Sequence, residues 1–174
     1  MGDRSVFDMM RSISALVLLD LDGSRLIAHY YDKATFPDLK SQKVFERKVM
    51  RQKTLLKSEI SFIDDLICLN LNHSDIRFFV AGPLGGNELV MKEFLACVVE
   101  LLRVMFKETL SCQSLMENMH AVFILLDEIC EAGVILETNP LTIVDRLRAR
   151  SVRSIEDMTL GELLEFAKEK LMTM

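Results

Sequence analysis

Long apolar runs are missing from this chain of 174 residues. Its longest uncharged apolar run, 121–126, falls far short of the roughly 20 residues that a membrane-spanning helix needs. The opening MGDRSVFDMMR lacks the apolar stretch of a secretory signal peptide. Gly2 fails the N-myristoylation pattern, because position six holds Val6 instead of Ser or Thr. We therefore expect a soluble protein whose contact with any membrane is peripheral.

Metal-ligating and redox residues are few and scattered. The three histidines have no partner at ligand spacing, and no two cysteines have the spacing of a zinc knuckle or a redox motif. The cysteines are Cys68, Cys97, Cys112 and Cys130. Three of them lie within apolar patterns, which favours buried, reduced thiols. No metal site and no cofactor is predicted.

Motifs for catalysis and for phosphate binding are missing as well. Gly82–Gly86 is not followed by the Lys-Ser/Thr pair of a phosphate-binding loop, and Asp20–Gly23 lacks the later ligands of a calcium loop. Asp127 and Glu128 are adjacent in a predicted helix and diverge by about 100°, so they cannot face each other as an acid and a base. We predict a non-catalytic interaction module. An enzyme would instead need a substrate-sized pocket converging on Asp127, His120 or a cysteine.

What the chain does contain is enough apolar sequence for one domain. Half of the residues are hydrophobic, about a quarter are charged, and the net charge of −5 does not indicate nucleic acid. We expect a loose leader over 1–11, one domain over 12–150 and a helical tail over 151–174.

Alternation and turn residues predict the order of the strands. Apolar residues on both faces of 13–19, the Asp22-Gly23 turn and the alternation in 25–31 predict a β-hairpin. Three strands follow, over 59–63, 66–72 and 75–81. Helices are predicted before and after this meander, starting at Pro37-Asp38, at Asn87 and at Asn139-Pro140. The order predicts an α+β domain with one mainly antiparallel sheet.

The stretch 110–140 is predicted to be the spine of the chain. Apolar residues recur at three- and four-residue spacing, and further apolar side chains lie off that stripe. Ser111 or Ser114 is expected to cap the helix start, and Gly133 to close its end. A helix that is apolar on more than one side needs cover on both, so we expect a sheet on one side and a helix or a partner on the other.

The helix over 40–57 is the strongest local charge signal. It holds seven basic residues and one acidic residue, Glu46, a net +6 that leaves −11 for the rest of the chain. Its predicted basic docking face consists of Lys40, Lys43, Arg47, Lys48 and Arg51. Two interpretations remain open: a solvated helix face, or electrostatic docking to an acidic partner subunit or an anionic membrane.

Several stretches resemble the zeta-subunit family of coatomer, the small chains of the coat protein complex I vesicle coat. LVLLDLDGSRLIAHYYD resembles the family's opening strand pair, and KSQKVFERKV its following helix. DIRFFVAG and NELVMKEFLACVVELL resemble its last strand and first long helix. SLMENMHAVFILLDEICEAGVILETNP is the most specific match. The resemblance covers about residues 12 to 150, and the ends of the chain depart from it.

This resemblance implies a longin-like fold: a five-stranded antiparallel sheet in the order 2-1-5-4-3, flanked by helices, with extra C-terminal helices. It implies the coatomer gamma subunit as partner, within a heptameric coat that an Arf-type GTPase recruits to Golgi membranes. It also implies a cytoplasmic protein, peripheral on the Golgi and on its vesicles, that acts in retrograde and intra-Golgi transport.

For the partner interface the predicted contacts are Tyr30, Tyr31, Phe36, Phe45 and Val49. Two alternatives remain open. One is a clathrin-adaptor sigma-type small chain, and the other is a longin or roadblock-type module that regulates a GTPase.

Overall fold

A computed structural model describes residues 11–56, 59–106, 109–151 and 171–172. The strands are β1 (Ala15–Leu19), β2 (Arg25–Tyr30), β3 (Ile60–Ile63), β4 (Leu66–His73), β5 (Ile76–Pro83), β6 (Cys130–Glu131) and β7 (Val134–Ile135). The helices are α1 (Leu39–Leu56), α2 (Glu88–Met105), α3 (Cys112–Glu117), α4 (Met119–Ile129) and α5 (Pro140–Ser151). Most of the predicted leader and tail lie outside the described residues, so those two boundaries stay predictions.

The chain divides into two compact units. The first holds the chain up to Leu95 together with Ala132–Ile135, and the second holds Ala96–Glu131 and the chain from Leu136 onwards. The predicted single domain over 12–150 stays a prediction.

The first unit is built on a five-stranded antiparallel sheet in the order β2-β1-β5-β4-β3. Strand β1 pairs with β2 on one side and with β5 on the other, and β4 continues from β5 to β3. All five residues of β1 are buried, which explains why both faces of this strand are apolar. The predicted α+β class, strand order and flanking helices are confirmed.

Short polar turns separate the strands where the sequence predicted them. Gly23 has a φ of +87°, and the carboxylate of Asp20 accepts two backbone N–H bonds within the hairpin turn, at 2.9 and 2.7 Å. Asp64 and Ser74 occupy left-handed positions in the next two turns, with φ of 53° and 52°. Aspartate and serine can offset the cost of such positions by local hydrogen bonding.

Helix α1 packs over one face of this sheet. The buried residues of this layer come from four strands, the loop before α1 and α1 itself. They are Ala15, Val17, Leu19, Phe36, Phe45, Val49, Ile63, Leu66, Cys68, Phe79 and Ala81. Tyr30 and Met50 are partly buried and pack against them. Burial of this layer holds the helix to the sheet, since apolar area removed from water is the main favourable term in folding.

Two glycines allow the backbone of residues 11–13 to lie close to the β6–β7 turn and to β5. The Gly133 carbonyl oxygen accepts from the amides of Ser12 and Ile13, each at 3.0 Å. Gly133 has a φ of +84°, and a Cβ there would clash with the Ile13 carbonyl oxygen. A Cβ on Gly82 would lie 2.7 Å from the Ser12 carbonyl oxygen. Both positions therefore require the absence of a side chain.

The predicted spine helix is in fact two helices, α3 and α4. They meet at Asn118, whose φ of −117° and ψ of 28° are not helical and whose side chain donates to the Ser114 carbonyl oxygen at 2.9 Å. Ser111 caps α3, as predicted, and exchanges hydrogen bonds with Ser114. The prediction for Gly133 was wrong: α4 ends at Ile129, and Gly133 lies in the turn between β6 and β7.

In the second unit, α4 packs against α5. Helix α5 starts where predicted, with the Asn139 side chain accepting from the Leu141 amide at 3.0 Å. Arg146 of α5 lies 3.8 Å from the carboxylate of Glu128 and 3.6 Å from that of Glu137. Glu128 is buried, and its ion pair with Arg146 is made within the second unit.

Candidate functional site

Helix α1 carries most of the predicted site residues and has two faces of opposite character. It begins after Asp38, whose carboxylate accepts from the Ser41 amide at 2.7 Å. That backbone hydrogen bond, with the Ser41 side chain second, holds the pKa of Asp38 below its ordinary value. One face of the helix is buried against the sheet, while the opposite face is exposed.

The aromatic and aliphatic residues predicted as partner contacts lie mainly on the buried face. Phe36, Phe45 and Val49 are 5%, 4% and 1% exposed. The ring centroids of Phe36 and Phe45 are 5.1 Å apart in an edge-on arrangement, and that of Tyr30 is 4.7 Å from Phe36. The area that these three side chains bury is already buried within their own unit, and a partner contact through them stays a prediction. They form the core under α1.

The two predicted tyrosines lie at the edge of the sheet. Tyr30 is half-buried, and its hydroxyl donates to Glu46 Oε1 at 3.1 Å. Burial, and then the charge of Glu46, raise the pKa of Tyr30, so the phenol stays protonated and bound to α1. Tyr31 is also half-buried, with its ring centroid 5.9 Å from that of His29. A partner contact through Tyr31 stays a prediction.

Glu46 is a key residue that sequence reasoning missed. It is 2% exposed, and its Oε1 accepts from Arg25 Nε at 2.5 Å. Lys43 Nζ lies 3.2 Å from the other carboxylate oxygen, and Gln42 accepts from a second nitrogen of Arg25 at 3.2 Å. The signal was present in the sequence: Glu46 is the single acid among seven basic residues of 40–57.

The predicted basic docking face is exposed at all five positions, Lys40, Lys43, Arg47, Lys48 and Arg51. All except Lys48 follow the spacing i, i+3, i+7 and i+11, which aligns them in one stripe about 16 Å long. Lys40, Arg47 and Arg51 make no ion pair within the part of the chain that the structure describes. The positive charge of these three side chains is therefore not neutralised by an ion pair within the described part of the chain.

The other two members of the basic face are already paired. Lys43 contacts the carboxylate of Glu46, and Lys48 Nζ lies 2.8 Å from both carboxylate oxygens of Asp64. Asp64 is itself exposed, so its pair with Lys48 adds little stability. Lys48 therefore links α1 to the β3–β4 turn, while Lys43 is paired within α1 itself.

An open groove of about 560 Å³ lies beside the start of α1 in the same unit. Its walls are the loop before α1, the first turns of α1, the β3–β4 turn and the end of β5. The lining residues are Ser14, Asp32, Thr35, Phe36, Pro37, Asp38, Lys40, Ser41, Val44, Phe45, Asp64, Asp65, Leu66 and Pro83. The groove combines an apolar floor with several carboxylates and shares Lys40 and Val44 with the exposed side of α1.

The residues that an enzyme hypothesis would need are not placed at this groove. Asp127 and His120 are exposed on α4, in the second unit. Cys68 is buried, and burial, with nearby Asp64 second, raises the pKa of its thiol to about 12, which leaves it a poor nucleophile. Among the residues searched, which are those described, no three His, Cys, Asp or Glu side chains are grouped to hold a metal ion. None of the described helices is long and apolar enough to cross a membrane.

Comparison with protein families matches residues 12–153 to the model of the clathrin adaptor complex small chain. This match starts where the N-terminal segment meets Gly133 and ends just after α5. It includes residues of both compact units.

The chain is also similar to curated proteins from animals and plants. It is 35% identical to coatomer subunit zeta-2 of Homo sapiens, over 92% of this chain and 76% of that protein. It is 35% identical to coatomer subunit zeta-1 of Bos taurus, over 92% and 90%. It is 27% identical to coatomer subunit zeta-2 of Arabidopsis thaliana, over 91% and 92%.

Among known structures the fold is similar to a chain of a homology model of the full-length AP-3 complex in a stretched open conformation. The TM-score is 0.56 at 19% identity, over 93% of this chain and 99% of that one. This likeness supports the fold alone.

Proposed function

The chain belongs to the clathrin adaptor and coatomer small-chain family, and on that premise we propose that it is a non-catalytic small subunit of the coatomer vesicle coat. The observation that carries this proposal is the similarity to coatomer zeta subunits at 35% identity over 92% of the chain. The family match over residues 12–153 spans the sheet, α1 and the helices that follow.

We assign the coatomer gamma subunit as the direct partner, through its N-terminal trunk. The physical support is exposed apolar surface in both units, which a monomer leaves in water at a cost. In the first unit it includes Phe62, Leu84, Leu89 and Val90, and in the second Met116, Phe123, Leu136 and Leu141. A permanent subunit interface typically buries roughly 2,000 Å² or more, which apolar side chains of this kind would supply.

The proposed setting is the cytoplasmic face of the Golgi membrane and coat protein complex I vesicles. There an Arf-type GTPase recruits the assembled coat, and the small chain supports retrograde transport to the endoplasmic reticulum and transport within the Golgi. In this role the chain acts by binding, and its contribution is to stabilise the large subunit that holds it.

Co-expression tests the proposal. The full chain is produced with the trunk of a coatomer gamma subunit and, separately, with the trunk of a clathrin-adaptor large subunit. We expect a stable one-to-one complex with the coatomer trunk alone, measured by size-exclusion chromatography with light scattering. A chain that stays monomeric with the coatomer trunk contradicts the proposal, and a complex with the adaptor trunk alone favours a sigma-type chain.

A further inference from the structure

The exposed stripe of α1 carries charge that the fold does not use. The fold uses Glu46, Lys43 and Lys48, which join α1 to strand β2, to itself and to the β3–β4 turn. Arg47 and Arg51 lie about one and two helical turns beyond Lys43 on the exposed side of α1. Neither makes an ion pair in the described part of the chain. Like charges at such spacing repel, so the stripe slightly destabilises the isolated helix. An anionic partner would offset this repulsion.

The groove adjoins this stripe along α1. Lys40 belongs to both, and Val44, one turn further, is half-buried in the groove wall. The floor is apolar because Phe36 and Leu66 reach it from the core below. Stripe and groove therefore form one continuous surface, which presents cations along the helix and an apolar recess at the helix start.

The carboxylates at the groove favour a protein over a lipid bilayer. Asp38, Asp64 and Asp65 are exposed and line the groove on the flank of the stripe. A flat anionic membrane that reached the stripe would also meet these three negative groups, and the repulsion would cancel part of the attraction. A folded protein segment can instead place its carboxylates against the cationic stripe and keep them away from these three aspartates.

We propose that this surface, formed by Lys40, Arg47, Arg51 and the groove at Val44, binds an acidic amphipathic helix of the large coat subunit. The helix presents carboxylates over about 16 Å to meet the stripe, and one large apolar side chain to fill the groove. The proposal rests on the proposed function, since it names the chemistry by which the trunk recognises this chain.

The test uses the full chain and the purified coatomer gamma trunk, with binding measured by calorimetry. Arg47→Glu/Arg51→Glu reverses the stripe, and Lys33→Glu/Lys92→Glu is its control, with the same change in net charge at two exposed lysines elsewhere in the first unit. Val44→Asp places a charge in the groove wall, and Val134→Asp is its control at another half-buried valine of the first unit, in β7. Thermal unfolding checks that each variant is folded.

We expect the stripe reversal and Val44→Asp each to weaken trunk binding about tenfold or more, and the controls to change it by less than about twofold. Raising the salt from about 0.05 to 0.5 M should weaken binding of the native chain more than that of the reversed variant. Folded variants that bind like their controls overturn the docking surface while leaving the proposed function intact. A native chain that forms no complex overturns both.

Vesicles distinguish the lipid alternative. Liposomes of phosphatidylcholine with about 30 mol% phosphatidylserine are sedimented with the same proteins. The proposal expects no loss of sedimentation specific to the stripe reversal. A native chain that binds these vesicles, loses that binding through Arg47→Glu/Arg51→Glu and keeps its affinity for the trunk would assign the stripe to the membrane instead.

Discussion

The two faces of helix α1 use charge in opposite ways. On the buried face a single carboxylate, Glu46, is surrounded by Arg25, Lys43 and the Tyr30 hydroxyl. On the exposed face three cations have no ion pair in the described chain. The single acidic residue of α1 thus helps to hold the helix against the sheet, while the more numerous basic residues lie mainly at the surface. The number of charged residues of one sign therefore says little about which of them matter for folding.

The largest expected effect lies on the buried face, in its apolar part. Phe45→Ala should lower the free energy of unfolding by about 3–5 kcal/mol, because it leaves a cavity between α1 and the sheet. Leu39→Ala, on the same helix but at a residue 66% exposed, should change it by less than about 0.5 kcal/mol. Urea unfolding followed by circular dichroism measures both. Equal costs at the two positions would show that the two faces do not differ.

The next effect concerns the buried charge. Glu46→Gln should lower the free energy of unfolding by about 1–3 kcal/mol, since Arg25 then lies half-buried without its counter-charge. Glu59→Gln removes an exposed carboxylate and should have almost no effect. A double-mutant cycle with Arg25→Gln should show positive coupling. Strict additivity in that cycle would contradict the assigned ion pair.

A smaller effect should appear at acidic pH, at the start of the helix. Because the pKa of Asp38 is lowered in the folded chain, its cap stabilises the fold above the ordinary aspartate pKa of about 3.9 and is lost as the pH falls through the folded value. Asp38→Asn keeps a capping oxygen that does not titrate. The difference in thermal midpoint between native chain and variant should therefore change between pH 6 and pH 3, about the range in which aspartates titrate. A constant difference across that range would exclude this contribution.

The smallest effect on stability is expected on the exposed face. Arg47→Glu/Arg51→Glu should change the free energy of unfolding by no more than about 0.5 kcal/mol, as should the matched Lys33→Glu/Lys92→Glu. The denaturant midpoints of the two double variants, each compared with that of the native chain, measure this difference. A loss of several kcal/mol through the stripe reversal alone would mean that these arginines serve the fold and are not spare.

Local sequence predicted the elements of the sheet unit well. The hairpin turn at Asp22-Gly23, the strands around it and the start of α1 depend on residues within a few positions of each other, so their signals survive without tertiary context. The same holds for Asn139-Pro140 at the start of α5. Strand bounds differed by one or two residues, which is the usual uncertainty where pairing ends.

The burial of the predicted site residues could not be read from the sequence, because burial is not a local property. Phe36 and Phe45 are strongly apolar, and apolar strength alone does not distinguish a core residue from an interface residue. They are buried in a core cluster that includes Ala81 and Leu66, which lie more than 20 positions away. The basic residues were predicted as an exposed face, and that placement is observed, because charge periodicity on one helix needs no distant contact.

By itself the sequence determined the kinds and order of the elements, the turns between them and the family resemblance, since all of these depend on neighbouring residues or on ordered motifs. Only the tertiary structure decided that Glu46 is the buried acid, that the predicted spine breaks at Asn118, and that Gly133 meets Ile13. The contacts of Glu46 with Tyr30 and of Gly133 with Ile13 join residues 16 and 120 positions apart, and the break at Asn118 depends on competing packing. Local pattern cannot report such contacts, because they exist only once the chain has folded back on itself.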